Sequence, residues 1–309
     1  MVQELFTLLA VFVALFLFGM FIMRAGLYNL GKERFHDVLV KLTDSAWKGL
    51  IVGTVITAVF QSSSAVMVMA VGLVATGYLT FRQTIGVILG TNIGSCLTLE
   101  IIAFDLSSYI LPLLIGGVIL LLFPRQLTYC LGCVSFGIAC IFIAMNGLES
   151  LAEPVASFPF THSFFTWTND HYLGGIALGG LMTAIIQSST GTIAIAMGFI
   201  QDQVLSLNSG VAIMLGANIG TCLTAYMASI GAGKSARMVA HAHIWLNIFG
   251  VLLFFPLIDF LAHVSSLLAA SSSLQLAHAS TIFNIICSLL VLPFVRYFAA
   301  FVERFHRKN

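Results

Sequence analysis

The sequence predicts an all-α polytopic membrane protein, and three observations lead there. Of 309 residues, 59% are hydrophobic and 8% are charged, and the mean hydropathy is +1.04. A soluble chain keeps about a quarter of its residues charged. Apolar stretches of spanning length recur from end to end. Two distant segments also match each other without a gap. A net charge of +1 leaves no basic surface for a polyanion, which excludes DNA- and RNA-binding classes.

Leu5–Met23 lacks a basic leader and a small-residue cleavage site, so it reads as a first spanning helix closed by Arg24. Residues 24–48 carry Arg24, Lys32, Arg34, Lys41 and Lys48 and are expected to form an amphipathic helix on the inner surface. Further spans are expected near 84–104, 108–123, 127–147, 209–230, 238–258 and 275–295. The 108–123 stretch is short and crosses only if nearly upright. Residues 149–173, with Pro154 and Pro159, are expected to be the main outer loop.

Residues 49–78 and 174–203 behave differently. Each carries a polar knot at its centre, Gln61-Ser62-Ser63-Ser64 and Gln187-Ser188-Ser189-Thr190. Two full crossings need about 40 residues, and each segment has about three-quarters of that. Charge decides between a single long crossing and a re-entrant hairpin. With both segments re-entrant and the N-terminus outside, all 13 Lys and Arg fall on one side. A single crossing at 49–78 would split Lys48 from Arg82. The positive-inside rule therefore predicts about seven transmembrane helices plus two hairpins, N-out and C-in.

Shifted by 126 residues, 49–99 aligns with 175–225 with 18 identities in 51. Gly53/Gly179, Thr57/Thr183, Gln61/Gln187, Ser62/Ser188 and Ser63/Ser189 match. So do the segments 89–98 and 215–224, each built on Asn-Ile-Gly followed by Ser or Thr. At a shift of 121, Phe21-Ile22 and Gly26-Leu27 echo Phe142-Ile143 and Gly147-Leu148. A third echo, at 37, pairs His241/His278, Asn247/Asn284 and Pro256/Pro293. Three crossings per unit is an odd number, so the second copy is expected upside down, as in many secondary transporters. The expected division is a first inverted repeat at 1–126, a second at 127–258, and an extra transmembrane helix with a basic cytoplasmic tail at 259–309.

Broken backbone in lipid is tolerated only where it lines a watery cavity. The serines would cap the returning half-helices and aim free N–H groups at the bilayer centre, an anion site built from two sides. Glycines 90, 94, 216 and 220 are expected either to unwind the neighbouring helices and bare their carbonyls, or to serve close packing. Oxygens from Asn92, Ser95, Thr98, Asn218, Thr221 and Thr224 form a sphere without carboxylates, which suits Na⁺ better than Ca²⁺. No Lys or Arg is expected at membrane depth, so the cargo is neutral or arrives with its own cations.

Paired Gln-Ser-Ser motifs, each followed by an Asn-Ile-Gly-Ser/Thr helix, resemble the type II sodium/phosphate cotransporters and their bacterial relatives, across about residues 20–300. The resemblance implies inorganic phosphate at Gln61, Ser62, Ser63, Ser64, Gln187, Ser188, Ser189 and Thr190. It implies Na⁺, the co-transported ion, at Asn92, Ser95, Thr98, Asn218, Thr221 and Thr224, with no organic cofactor. The implied activity is sodium-coupled symport across a bacterial cytoplasmic membrane by alternating access. The implied partners are phosphate, sodium and lipid, with a homodimer as an option. Many bacterial members carry a C-terminal PhoU-like domain; a sequence ending at Asn309 is expected to be a short form without it.

Other oxyanions, such as sulfate or a dicarboxylate, fit the donors equally. An anion channel fits less well, because one chain would supply the whole filter. An intramembrane hydrolase is not expected, since neither GxSxG nor HExxH occurs. His241, His243, His278, Asn247 and Asn284 are expected as contacts between helices, and the six cysteines as small apolar fillers. Glu100 is the one acid expected inside a span.

Overall fold

The computed structural model describes residues 2–104 and 106–307, with side chains except at 2, 32–37, 41, 42, 306 and 307. The charges expected on the inner side at Lys32, Glu33, Arg34, Asp37, Lys41, Arg307 and Lys308, and outside at Asp105, lie beyond the described side chains. Every regular element among the described residues is helical. The first half comprises α1 (Val2–Leu42), α2 (Ala46–Phe60), α3 (Ser63–Ala75), α4 (Phe81–Ala103), a 3₁₀ turn, α5 (Ile110–Leu121) and α6 (Gln126–Ala156). The rest comprises α7 (Pro159–Asp170), α8 (Tyr172–Ile186), α9 (Ser189–Gln201), α10 (Leu207–Gly220), α11 (Cys222–Ser229) and α12 (Lys234–Phe254). These are followed by α13 (Ile258–Ser266), α14 (Ser272–Val291) and α15 (Val295–Arg307). Six helical stretches are long and apolar enough to cross a membrane: 3–31, 81–103, 126–156, 207–229, 234–266 and 272–305. The chain is a multi-pass membrane protein.

Two expectations need correction, and two gain detail. The first helix does not close at Arg24: α1 runs unbroken to Leu42, because Ala25, Leu27 and Leu30 continue the apolar pattern. The outer loop at 149–173 is helical, since α6 absorbs Pro154 in its last turn and Pro159 starts α7 at a position where its missing N–H costs nothing. The expected seventh crossing, 108–123, forms a helix only across 107–121, shorter than the six long stretches. The C-terminal tail is an amphipathic helix, α15, whose Ala299 and Val302 are buried while Glu303 takes Arg82 of α4 in a two-point ion pair at 3.0 and 3.1 Å.

Glycine sets the closest approaches. Thr80 and Gln83 form a capping box at the start of α4, which then continues without interruption through Asn92-Ile93-Gly94. A Cβ on Gly94 would lie 2.5 Å from the Thr54 carbonyl, and one on Gly90 would strike the Leu50 carbonyl. In the other half, a Cβ on Gly220 would lie 2.5 Å from the Gly180 carbonyl, and one on Gly216 would strike that of Ile176. The glycines therefore seat α2 against α4 and α8 against α10 backbone to backbone. Unwinding is absent from α4. The second copy has only a one-residue interruption at Thr221, which keeps helical torsions (φ −62°, ψ −22°).

Besides a smaller cluster of Phe16, Met20, Met23, Ile102, Ile141, Ala144 and Ala194, the core falls into two large apolar blocks. One joins Phe60, Val66, Met67, Ala70, Ile85 and Leu89 to Ala225, Ala236, Leu246 and Val302. The other joins Leu99, Leu148, Ile193, Met197, Val211 and Leu215 to Val251, Phe254, Leu276 and Phe283. Each of α4, α10–α11, α12 and α14 contributes to both. The stretch of helix between its two contributions is polar: Asn92 to Thr98, Asn218 to Thr224, Asn247, and Ser288. A polar layer thus separates two apolar blocks. Beside it α3 packs on α11, and α9 on α4, so each hairpin's returning half meets a helix from the other half of the chain.

Gly216→Ala should lower stability by about 1–3 kcal/mol, the usual penalty for overpacking. Gly72→Ala, whose new methyl meets nothing within 4 Å, should raise it by about 0.5–1 kcal/mol. Thermal denaturation of the purified protein in detergent checks the opposite signs.

Candidate functional site

Both polar knots adopt one conformation. Gln61 (φ 55°, ψ 28°) and Gln187 (φ 57°, ψ 28°) are left-handed, and Gln203 is the one other non-glycine residue with positive φ among the described residues. Such a backbone costs a non-glycine residue of order 1–3 kcal/mol and survives only where the surroundings enforce it. The next residue then caps a new helix: Ser62 Oγ accepts from Ala65 N–H and Ser188 Oγ from Gly191 N–H, both at 3.2 Å. The remaining first-turn N–H groups of α3 and α9 are left for another acceptor. Ser62 to Ser64, Ser188 and Ser189 are half-buried and Thr190 is buried. Gln61 is buried, whereas Gln187 is exposed.

The sodium candidates divide into three kinds. Ser95 and Thr221 hydroxyls donate to the carbonyls of Asn92 and Asn218, both at 2.8 Å. Asn92 is held across the layer: its Nδ2 donates to Asn247 Oδ1 at 3.3 Å, and its Oδ1 lies 3.4 Å from His243 Nε2. Asn218 Nδ2 donates to the Met214 carbonyl at 2.8 Å. Thr98 and Thr224, equivalent in the two copies, have buried hydroxyls with no partner among the described residues. An unsatisfied buried hydroxyl costs about 1–3 kcal/mol. Thr57 is a third: its counterpart Thr183 donates to Thr192 at 2.8 Å, but Val66 stands where that partner would be.

The first tip shares a cavity with each of the two equivalent threonines. Ser64 and Thr224 line a cavity of about 390 Å³ with Tyr28 of α1. Gln61 and Thr98 line another, of about 320 Å³, with Met23. The two tips share no hydrogen bond with each other among the described residues. No cluster of three or more His, Cys, Asp or Glu side chains is found among the described residues, so the oxygen donors here are hydroxyl, amide and backbone groups.

The expectation that no Lys or Arg reaches membrane depth fails. Arg24, carried inward by the unbroken α1, donates from Nε to the Gln61 carbonyl at 2.6 Å. The run of apolar residues past Arg24 was the signal for this. Two cysteines are also more than fillers. Asn284 Nδ2 donates to Cys96 Sγ at 3.3 Å and to the Ser280 carbonyl at 3.0 Å, while Cys96 Sγ reaches that same carbonyl at 3.5 Å. Asn247, Cys222 and the His243 carbonyl repeat the arrangement at 3.3, 2.9 and 3.5 Å. Two sequence echoes of different period, 126 and 37, thus meet in one contact made twice. The histidines take varied contacts: His278 faces Glu100 at 3.1 Å, and His241 packs edge-on to Tyr226.

The chain matches the Na⁺/Pi-cotransporter family over residues 15–150 and 155–284. It is 38% identical to YqeW of Bacillus subtilis over 251 residues, covering 81% of each chain. It is 27% identical over 252 residues to YjbB of Escherichia coli, named as an inorganic phosphate export protein, covering 81% of this chain and 46% of that one. The chain thus spans about half the length of YjbB. It is 32% identical over 97 residues to the rabbit sodium-dependent phosphate transport protein 2A, covering 30% of this chain and 15% of that one. No solved structure matches it. By the extent of the match, the chain belongs to the Na⁺/Pi-cotransporter family.

Proposed function

We propose that the chain is a secondary active transporter that carries inorganic phosphate together with Na⁺ by alternating access. The observation that carries this reading is the pair of left-handed Gln-Ser breaks, identical in backbone and capping at an offset of 126 residues. Each break presents uncapped helix N–H groups to the polar layer, a suitable host for an oxyanion. Phosphate is assigned to residues 61–64 and 187–190. Na⁺ is assigned to the layer's oxygens, foremost the partnerless hydroxyls of Thr98 and Thr224. In the sequence of events, Na⁺ binds first and lowers the cost of admitting the anion.

Contacts that recur at the repeat offsets support two inverted units at 1–126 and 127–258. Gly26 of α1 approaches Cys133 of α6, and Gly147 of α6 approaches Phe12 of α1, one contact made in both directions. The doubled Asn–Cys contact supports reading α14, in 259–309, as the counterpart of α12. Export is the second reading for direction, favoured by a similarity to YjbB that covers 81% of this chain. Imposed gradients in opposite senses would separate the two.

Purified protein in liposomes should take up radiolabelled phosphate under a Na⁺ gradient and not under an equal K⁺ gradient; equal uptake in both overturns sodium coupling. Ser63→Trp and Ser189→Trp should each abolish uptake without loss of folded protein, and robust uptake in either removes that residue from the site. Thr98→Val and Thr224→Val should weaken apparent Na⁺ affinity about tenfold, or about 1.4 kcal/mol. They should leave thermal stability equal or higher, because they delete an unpaired buried hydroxyl. A Na⁺ affinity unchanged in both variants would contradict the cation assignment.

A further inference from the structure

Resting on the phosphate reading above, we propose that Arg24 is a substrate-binding residue: a fixed cation that supplies part of the charge compensation for the anion at the first hairpin tip. Its Nε bonds the Gln61 carbonyl at 2.6 Å, one residue before the Ser62 cap. That bond uses one of five guanidinium donors and leaves the two Nη groups, whose four N–H bonds no acceptor among the described residues takes. The Nη pair is therefore tethered next to the Ser62 cap of α3, whose Ser63 and Ser64 N–H groups are left open. A planar guanidinium edge matches two oxygens of a tetrahedral oxyanion.

Capping alone does not account for the charge. The carbonyl end of α2 could be capped by Arg24, but the second break has the same torsions and carries no such cation. At the repeat offset of 121, Met145 stands where Arg24 stands in α1. The two breaks thus form an internal comparison: the bend forms without the arginine. An unpaired cation within a spanning helix is expensive, and no carboxylate among the described residues bears on this one. The surplus charge points to a negative group that comes and goes. The site is consequently asymmetric, with its positive charge on the α1 side.

The test uses full-length protein in liposomes, with radiolabelled phosphate as probe and R24K, R24Q and R24M as variants. R24Q and R24M should raise the apparent phosphate KM tenfold or more, with apparent Na⁺ affinity at saturating phosphate within about twofold of wild type. R24K keeps the charge but loses the two-point geometry and should fall between. Phosphate should also raise the melting temperature of the detergent-purified wild type and R24K, and do so less in R24M. A reduced maximal rate with unchanged KM in all three variants, with a lower melting temperature in phosphate-free buffer, would assign Arg24 to capping and overturn the proposal. An unchanged KM in R24M also overturns it, while leaving the transport reading intact. Wild-type liposomes that take up no phosphate overturn the transport reading itself and this proposal with it.

Discussion

A polar layer enclosed between two apolar blocks is the constraint on which the rest of the structure depends. In a low-dielectric interior every unpaired donor or acceptor is costly, so four helices spend side chains on satisfying one another there. Asn92, Asn247, His243 and Cys222 form one connected set, and Asn284, Cys96 and the Ser280 carbonyl another. The pairing is incomplete: His243 Nδ1 and Asn284 Oδ1 have no partner among the described residues, and neither do the hydroxyls of Thr57, Thr98 and Thr224. Thr98 and Thr224 lie on the same helices as these sets, and Thr57 lies on α2. Partners could have been provided there, as Thr192 provides one for Thr183.

Much of this was legible in the chain. Composition and apolar runs fixed the class, and the 126-residue echo located both breaks to the residue, because a left-handed turn followed by a capping serine has a local chemical signature. The echo at 37 marked Asn247 and Asn284 as contacts between helices. Less legible was anything decided by distance across the fold. Glycines 90, 94, 216 and 220 fit unwinding as well as tight packing, and only the carbonyls of α2 and α8 against them select packing. The proline-bearing segment at 149–173 folds as helix because each proline sits where a helix tolerates it or can absorb it.

Arg24 shows why charge counting alone misleads. Placing every cation on one face gave a consistent topology and left the bilayer interior without positive side chains. The side-chain assignment fails because α1 does not stop at its first charge; a long arginine stem can lie along apolar surface while the head finds a carbonyl. The carbonyl it finds belongs to a break in another helix, which no periodicity within α1 could reveal. One substitution, Arg24 on one side and Met145 on the other, makes two otherwise matching halves chemically unlike.

The glycine contacts carry a mechanical corollary. Where α2 meets α4, and α8 meets α10, main chain rests on main chain with no side chain between to act as a cushion. Sliding either pair by one residue would drive a Cβ into a carbonyl, so the close contact holds each pair in register. On the proposed alternating-access reading, shear would fall on seams cushioned by side chains, such as α3 on α11 and α9 on α4. Those seams include the helices that carry Thr98 and Thr224 and those that start at the two tips, so Na⁺ bound as proposed would sit beside them and act as a pin that holds or frees them.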